Sequence, residues 1–188
     1  MSFILYAILA GVVTFFAGLI PMYKKVKNTR YIIAFASGTV ISLAFLDLLP
    51  AADLSSTSLV LAAGFLLFYL VGKLTMLHAC GEEECEVHDM NWVSIFGMSL
   101  DNFIDGIAIA VGFLTNPFLG LVITVAVIVH EIPQDITATL IMKNLKYSKR
   151  KMMIPIIIAA AFYPLGALFS QFIPQTLYTS VIAFVAGA

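Results

Sequence analysis

The chain has 188 residues, 61% of them apolar and 11% charged, with a mean hydropathy of +1.02 and a formal net charge of −1. Soluble domains are roughly 45–50% apolar and about 25% charged, so this composition excludes the water-soluble globular class, and it offers no basic surface for a nucleic acid. What remains is an all-α polytopic membrane protein: a backbone in hydrocarbon must satisfy its own N–H and C=O groups, and the apolar runs are too long and continuous for barrel strands.

Six runs are long enough to span, at about 20 residues each: Ser2 to Tyr23, Tyr31 to Pro50, Ser58 to Leu77, Trp92 to Leu114, Phe118 to Met142, and Met152 to Ile173. A seventh begins near Thr176 and stops at Ala188. The first has no basic segment before it and its positive charges follow it, so it reads as a retained span with its N-terminus outside. About 12 residues at 1.5 Å each fall short of a core about 30 Å thick, so the seventh is expected to be part of a span cut at the C-terminus. Ile33 to Gly38 in the second run is echoed by Ile182 to Gly187 in the seventh, and these two run in opposite directions, as in an inverted repeat.

Alternation of the spans puts loops 24–30, 78–91 and 143–151 on one side, with all ten Lys and Arg residues at that side. By the positive-inside rule it is the cytoplasm. Trp92, at the start of the fourth run, fits an interfacial anchor. Residues 1–188 thus read as a single transmembrane domain, with 78–91 a cytoplasmic loop rich in Cys, His and Glu.

That loop carries His78, Cys80, Cys85 and His88 among Glu82, Glu83, Glu84 and Glu86. Two cysteines make no disulfide framework, least of all in a reducing compartment. The thiolates and imidazoles suit a soft divalent ion, although their spacing matches no standard zinc module, and a solvated acidic loop is the other reading.

The chemistry sits in the fourth and fifth runs. Asp101, Asp105, Glu131 and Asp135 lie deep within apolar sequence, with His130 beside them. A carboxylate near the bilayer centre costs about 2.5–3.5 kcal/mol on insertion scales, so such residues mark an ion or proton path before they mark packing. Asp101 and Asp105 are four residues apart, as are His130 and Gln134, and Glu131 and Asp135, so each helix offers a ligand face. The link Thr115 to Pro117 is short enough to make an antiparallel hairpin. Asp101 and His130 then lie at one depth, roughly 20 Å from the outer end.

Carboxylate, imidazole and amide groups facing each other suit a divalent cation held by oxygen and nitrogen donors. Pro133 frees a backbone carbonyl one turn earlier, and Gly106 permits close helix approach. His130 to Gln134 is not a zinc-protease motif, because the second histidine is Gln134 and Pro133 intervenes. Asp101 to Gly106 lacks the alternating ligands and distal Glu of a calcium loop.

Asp101-Asn102-Phe103-Ile104-Asp105-Gly106 resembles the fourth-span H-N-x-x-[DE]-G of the ZIP (Zrt/Irt-like) transporters. His130-Glu131-Ile132-Pro133-Gln134-Asp135 resembles their fifth-span H-E-I-P motif, and Ala44 to Pro50 is similar to the end of their second span. The resemblance implies an eight-span fold, a binuclear metal centre between the fourth and fifth spans, and zinc, iron, manganese or cadmium moved as substrate toward the cytoplasm, often by a homodimer. It assigns Asp101, Asp105, His130 and Gln134 to one metal position and Asn102 and Glu131 to a second, bridged by Asp105 and Gln134. Asp47 and Asp53 then either draw cations inward or are solvated loop charges, and Asp135 is a further candidate ligand.

Three positions depart from the pattern. Asp101 stands where the family has His, which makes the site more oxygen-rich. Gln134-Asp135 replaces a stronger ligand pair, and Ile136-Thr137-Ala138 lacks the Gly-Asp that often follows. The other classes open to such a cluster are a membrane metal sensor read through the Cys and His loop and a metal-dependent membrane enzyme. A transporter requires no enzymatic step.

Overall fold

A computed structural model describes residues 2–26, 29–76 and 92–187, and within them every regular element is helical. The loop bearing His78, Cys80, Cys85 and His88 lies outside the described residues. Each apolar run of the sequence is a helix: α1 (Ser2–Tyr23), α2 (Thr29–Leu43), α3 (Leu54–Met76), α4 (Trp92–Thr115), α5 (Pro117–Asn144), α6 (Lys149–Phe169) and α7 (Tyr178–Gly187). Phe3–Tyr23, Leu54–Val71, Gly97–Thr115, Pro117–Asn144 and Lys149–Phe172 are long and apolar enough to cross a bilayer, while Ser37–Ala51 and Gln175–Gly187 are shorter apolar helices. The protein is therefore polytopic and all-helical.

Packing follows side-chain size. Helices α1, α4, α5 and α6 form the centre, with α4 against α6, and α1 against both α5 and α6; α2 lies on α5, and α3 lies on α7. Lipid tails are as apolar as leucine, so membrane helices associate through close backbone approach at small residues. Ala7, Ala10, Ala110 and Ala167 are fully buried at the centre, whereas Leu5, Phe16, Phe35, Leu59 and Phe118 face outward. Gly106 and Gly166 make the tightest crossing. A Cβ on Gly106 would run into the Tyr163 carbonyl, and one on Gly166 into the Phe103 carbonyl, so only glycine lets α4 and α6 meet at this depth.

The connections place the ends. Asn116 caps α5 by accepting from Phe118 N at 2.8 Å, and Pro117 takes the first helical position, where its missing N–H costs nothing. The α4–α5 pair is thus the expected hairpin. At the opposite end Lys143 Nζ donates to the Pro21 carbonyl, and the Lys149 ammonium sits over the Tyr23 ring, 4.7 Å from its centroid. These contacts hold the 143–151 loop against the end of α1, from which the other basic loop departs.

Helix α2 continues through a π-helical turn, Ala44–Leu48, where the Leu49 N–H reaches back to the Ala44 carbonyl, and ends in Leu49–Ala51. Asp53 then adopts a left-handed conformation with φ 37°. Its carboxylate accepts from Ser55 Oγ at 2.7 Å and Ser56 Oγ at 2.9 Å. The Ser55 and Ser56 hydroxyls hold that carboxyl below the ordinary carboxylate range. Asp53 opens α3 as a capping residue.

Candidate metal centre

Helix α5 runs unbroken through Pro133 and presents His130, Glu131 and Gln134 toward Asp101 and Asp105 of α4. His130 Nδ1 lies 3.0 Å from the Ala126 carbonyl. A carbonyl only accepts, so Nδ1 carries the proton and Nε2 is the ring atom available to a ligand. Nε2 is 3.4 Å from Asp105 Oδ2 and 3.2 Å from Glu131 Oε1. One ligand atom from each of Asp105, His130 and Glu131 lies within 4.8 Å of the others, the only such group of three among the described residues. A lone pair and two carboxylate oxygens converging in a buried place repel one another unless a positive charge lies between them.

The surrounding polar groups fix this arrangement. Gln134 Nε2 donates to Asp101 Oδ2 at 3.2 Å and to Glu131 Oε1 at 3.0 Å, tying the two helices together. Tyr163 of α6 donates its phenol proton to Glu131 Oε2 at 2.5 Å, and both side chains are fully buried. Asn102 Nδ2 donates to the Ala159 carbonyl at 3.1 Å, while its Oδ1 is buried with no hydrogen-bond partner among the described residues. Among those residues no lysine or arginine forms an ion pair with the cluster.

The sequence-derived residues therefore meet, in a particular order. Asp105, His130 and Glu131 converge, although the resemblance divides them between two metal positions. Asp101 and Gln134 join as hydrogen-bonding neighbours, and Asn102 is anchored to α6. Asp135 is buried one turn further along α5, and neither it nor Asp47 nor Asp53 enters the group of three. Sequence reasoning passed over Tyr163. The signal was a phenol in the middle of an apolar run, since a buried O–H requires a partner.

Fold and cluster define a helical membrane protein with carboxylate and imidazole groups brought together in a buried place between two of its helices. Its sequence matches the family model described as ZIP zinc transporter over residues 74–187, more than half of the chain. The chain belongs to the ZIP family. Among its relatives, zinc transporter ZIP13 of Pongo abelii is 27% identical over 126 residues, 58% of this chain and 38% of that protein. An uncharacterised zinc transporter of Schizosaccharomyces pombe is 32% identical over 98 residues, 51% of this chain and 22% of that protein. Zinc transporter zipt-7.2 of Caenorhabditis elegans is 39% identical over 67 residues, 36% of this chain and 14% of that protein. The chain thus spans well under half the length of the relatives it matches.

Proposed function

We propose that this protein moves a divalent metal ion, zinc foremost and iron, manganese or cadmium as related substrates, across the bilayer toward the cytoplasm. The observation that carries the reading is the convergence of His130 Nε2 with Asp105 and Glu131 oxygens at a buried place between α4 and α5. Zinc accepts imidazole nitrogen and carboxylate oxygen in one shell. The oxygen-rich surroundings supplied by Asp101 extend tolerance to harder ions.

In this reading the ion sheds water on entering and is held by Asp105, His130 and Glu131. Gln134 and Asp101 orient that set. The second ion implied by the family resemblance would draw on the Asn102 Oδ1 atom. Clustering of the basic loops beside α1 supports a cytoplasmic assignment for that end. Release follows movement of α4 and α5 against their neighbours, and the lipid bilayer and a second copy of the chain are the expected partners.

The test is zinc, manganese and cadmium uptake into sealed proteoliposomes holding the complete protein, compared with Asp105→Ala and His130→Ala. Uptake in the parent that is lost in both variants is the expected result. No uptake by the parent under a gradient contradicts transport.

A further inference from the structure

Beyond the candidate centre, α5 continues the same face. Glu131, Asp135 and Thr139 follow at four-residue spacing, so each lies about 6 Å further along the axis than the one before. Asp135 and Thr139 line a small cavity of about 10 Å³, walled by Met98 of α4, Met142 of α5, and Ile156 and Ala159 of α6. That is roughly the room of one water-sized particle. Ala159 is also the residue whose carbonyl holds Asn102, so the cavity adjoins the candidate centre.

The Thr139 side chain is fully buried, and its hydroxyl has no hydrogen-bond partner among the described residues. A buried hydroxyl left unpaired is unfavourable and calls for an occupant. Asp135, 6% exposed, supplies a carboxyl group beside it. Met142 and Ile156 of the cavity wall also belong to an apolar cluster with Met22 and Met152.

We infer that Asp135 and Thr139 form a further cation position, a relay stop for the divalent ion between the Asp105–His130–Glu131 centre and the methionine cluster. The inference rests on the transport reading and adds to it a step along α5. A carboxylate, a hydroxyl oxygen and neighbouring thioethers suit a partly dehydrated divalent ion of intermediate softness. Several weak stops in series allow an ion to leave a path that a single deep site would block.

The experiment uses Cd²⁺ as the probe, counting ions bound per chain by equilibrium titration of the full protein and measuring initial Cd²⁺ uptake in proteoliposomes. The variants are Asp135→Asn, the near-isosteric Thr139→Val, and Glu131→Gln as the change at the candidate centre. Thr139→Val and Asp135→Asn are expected to bind one ion fewer than the parent, with the remaining affinities unchanged within about twofold. Their uptake is expected to fall by about tenfold or more, the loss of an interaction with a charged group.

An unchanged count in folded Thr139→Val overturns the proposal whatever its rate, and this variant decides the matter if Asp135→Asn does not fold. A reduced count with parent-like uptake overturns the relay role. A parent that neither binds nor takes up Cd²⁺ overturns the transport reading as well, and uptake that survives Glu131→Gln overturns the candidate centre from which the relay leads.

Discussion

Replacing Tyr163 by phenylalanine removes one oxygen atom and separates two roles for that residue. The phenol donates at 2.5 Å to Glu131 Oε2, while Glu131 Oε1 receives Gln134 and faces His130. If Glu131 binds metal through Oε1, Tyr163 sets its rotation. A hydrogen bond to a charged group contributes roughly 1.5–3 kcal/mol, equivalent to about 10- to 150-fold in an equilibrium constant. That range agrees with the roughly 10- to 100-fold loss of metal affinity when an outer partner of a ligand is removed. Tyr163→Phe is therefore expected to weaken zinc binding by at least about tenfold, read by competition with a fluorescent chelator, while the helical circular dichroism of the detergent-solubilised protein stays that of the parent. Tyr163→Phe that binds zinc within about twofold of the parent would refute the positioning role and place the phenol as packing alone.

Two further outcomes follow from the contacts around the centre. Gly106→Ala gains up to about 1 kcal/mol of helix propensity, but its Cβ would meet the Tyr163 carbonyl and lie 3.1 Å from Ala167 N. Backbone cannot swing aside, and overpacking costs roughly 1–3 kcal/mol, so thermal unfolding in detergent is expected at a lower temperature; an unfolding temperature at or above the parent's contradicts the close crossing. Lys143→Met removes the ammonium from the Pro21 carbonyl at the end of α1. That contact is worth about 0.5–1 kcal/mol, so a small fall in unfolding temperature with zinc affinity unchanged is expected, and a loss of zinc binding would show that Lys143 acts on the centre.

The spans were legible because their solvent demands it: an apolar run of about 20 residues has few options besides a membrane helix. The α4–α5 hairpin was legible in the short link around Asn116 and Pro117, and four-residue spacing placed Asp101, Asp105, His130 and Gln134 on facing sides. Other features were not. Whether Asp105 or Asp101 stands nearest His130 depends on helix rotation, which spacing leaves free. Tyr163 and Thr139 sit in sequence that reads as lipid-facing or core; only the packing of α6 on α4, set by Gly106 and Gly166, brings Tyr163 to Glu131, and α6 also walls the cavity that Thr139 shares with Asp135. The π-helical turn at Ala44–Leu48 and the left-handed Asp53 have no periodic signal. Asp53 is open between attracting cations and lying in a solvated loop, and the turn that sets its carboxylate against the Ser55 and Ser56 hydroxyls has no signal in the sequence.

The most direct test of the centre is zinc X-ray absorption on the complete protein in detergent, loaded below one equivalent per chain, for the parent and His130→Ala. The expected first shell holds only nitrogen and oxygen scatterers at about 2.0–2.2 Å, with an imidazole signature that disappears in His130→Ala. Sulfur scattering at about 2.3 Å, or an imidazole signature that survives the substitution, would place the strongest site in the Cys80 and His78 loop and contradict an ion held between α4 and α5.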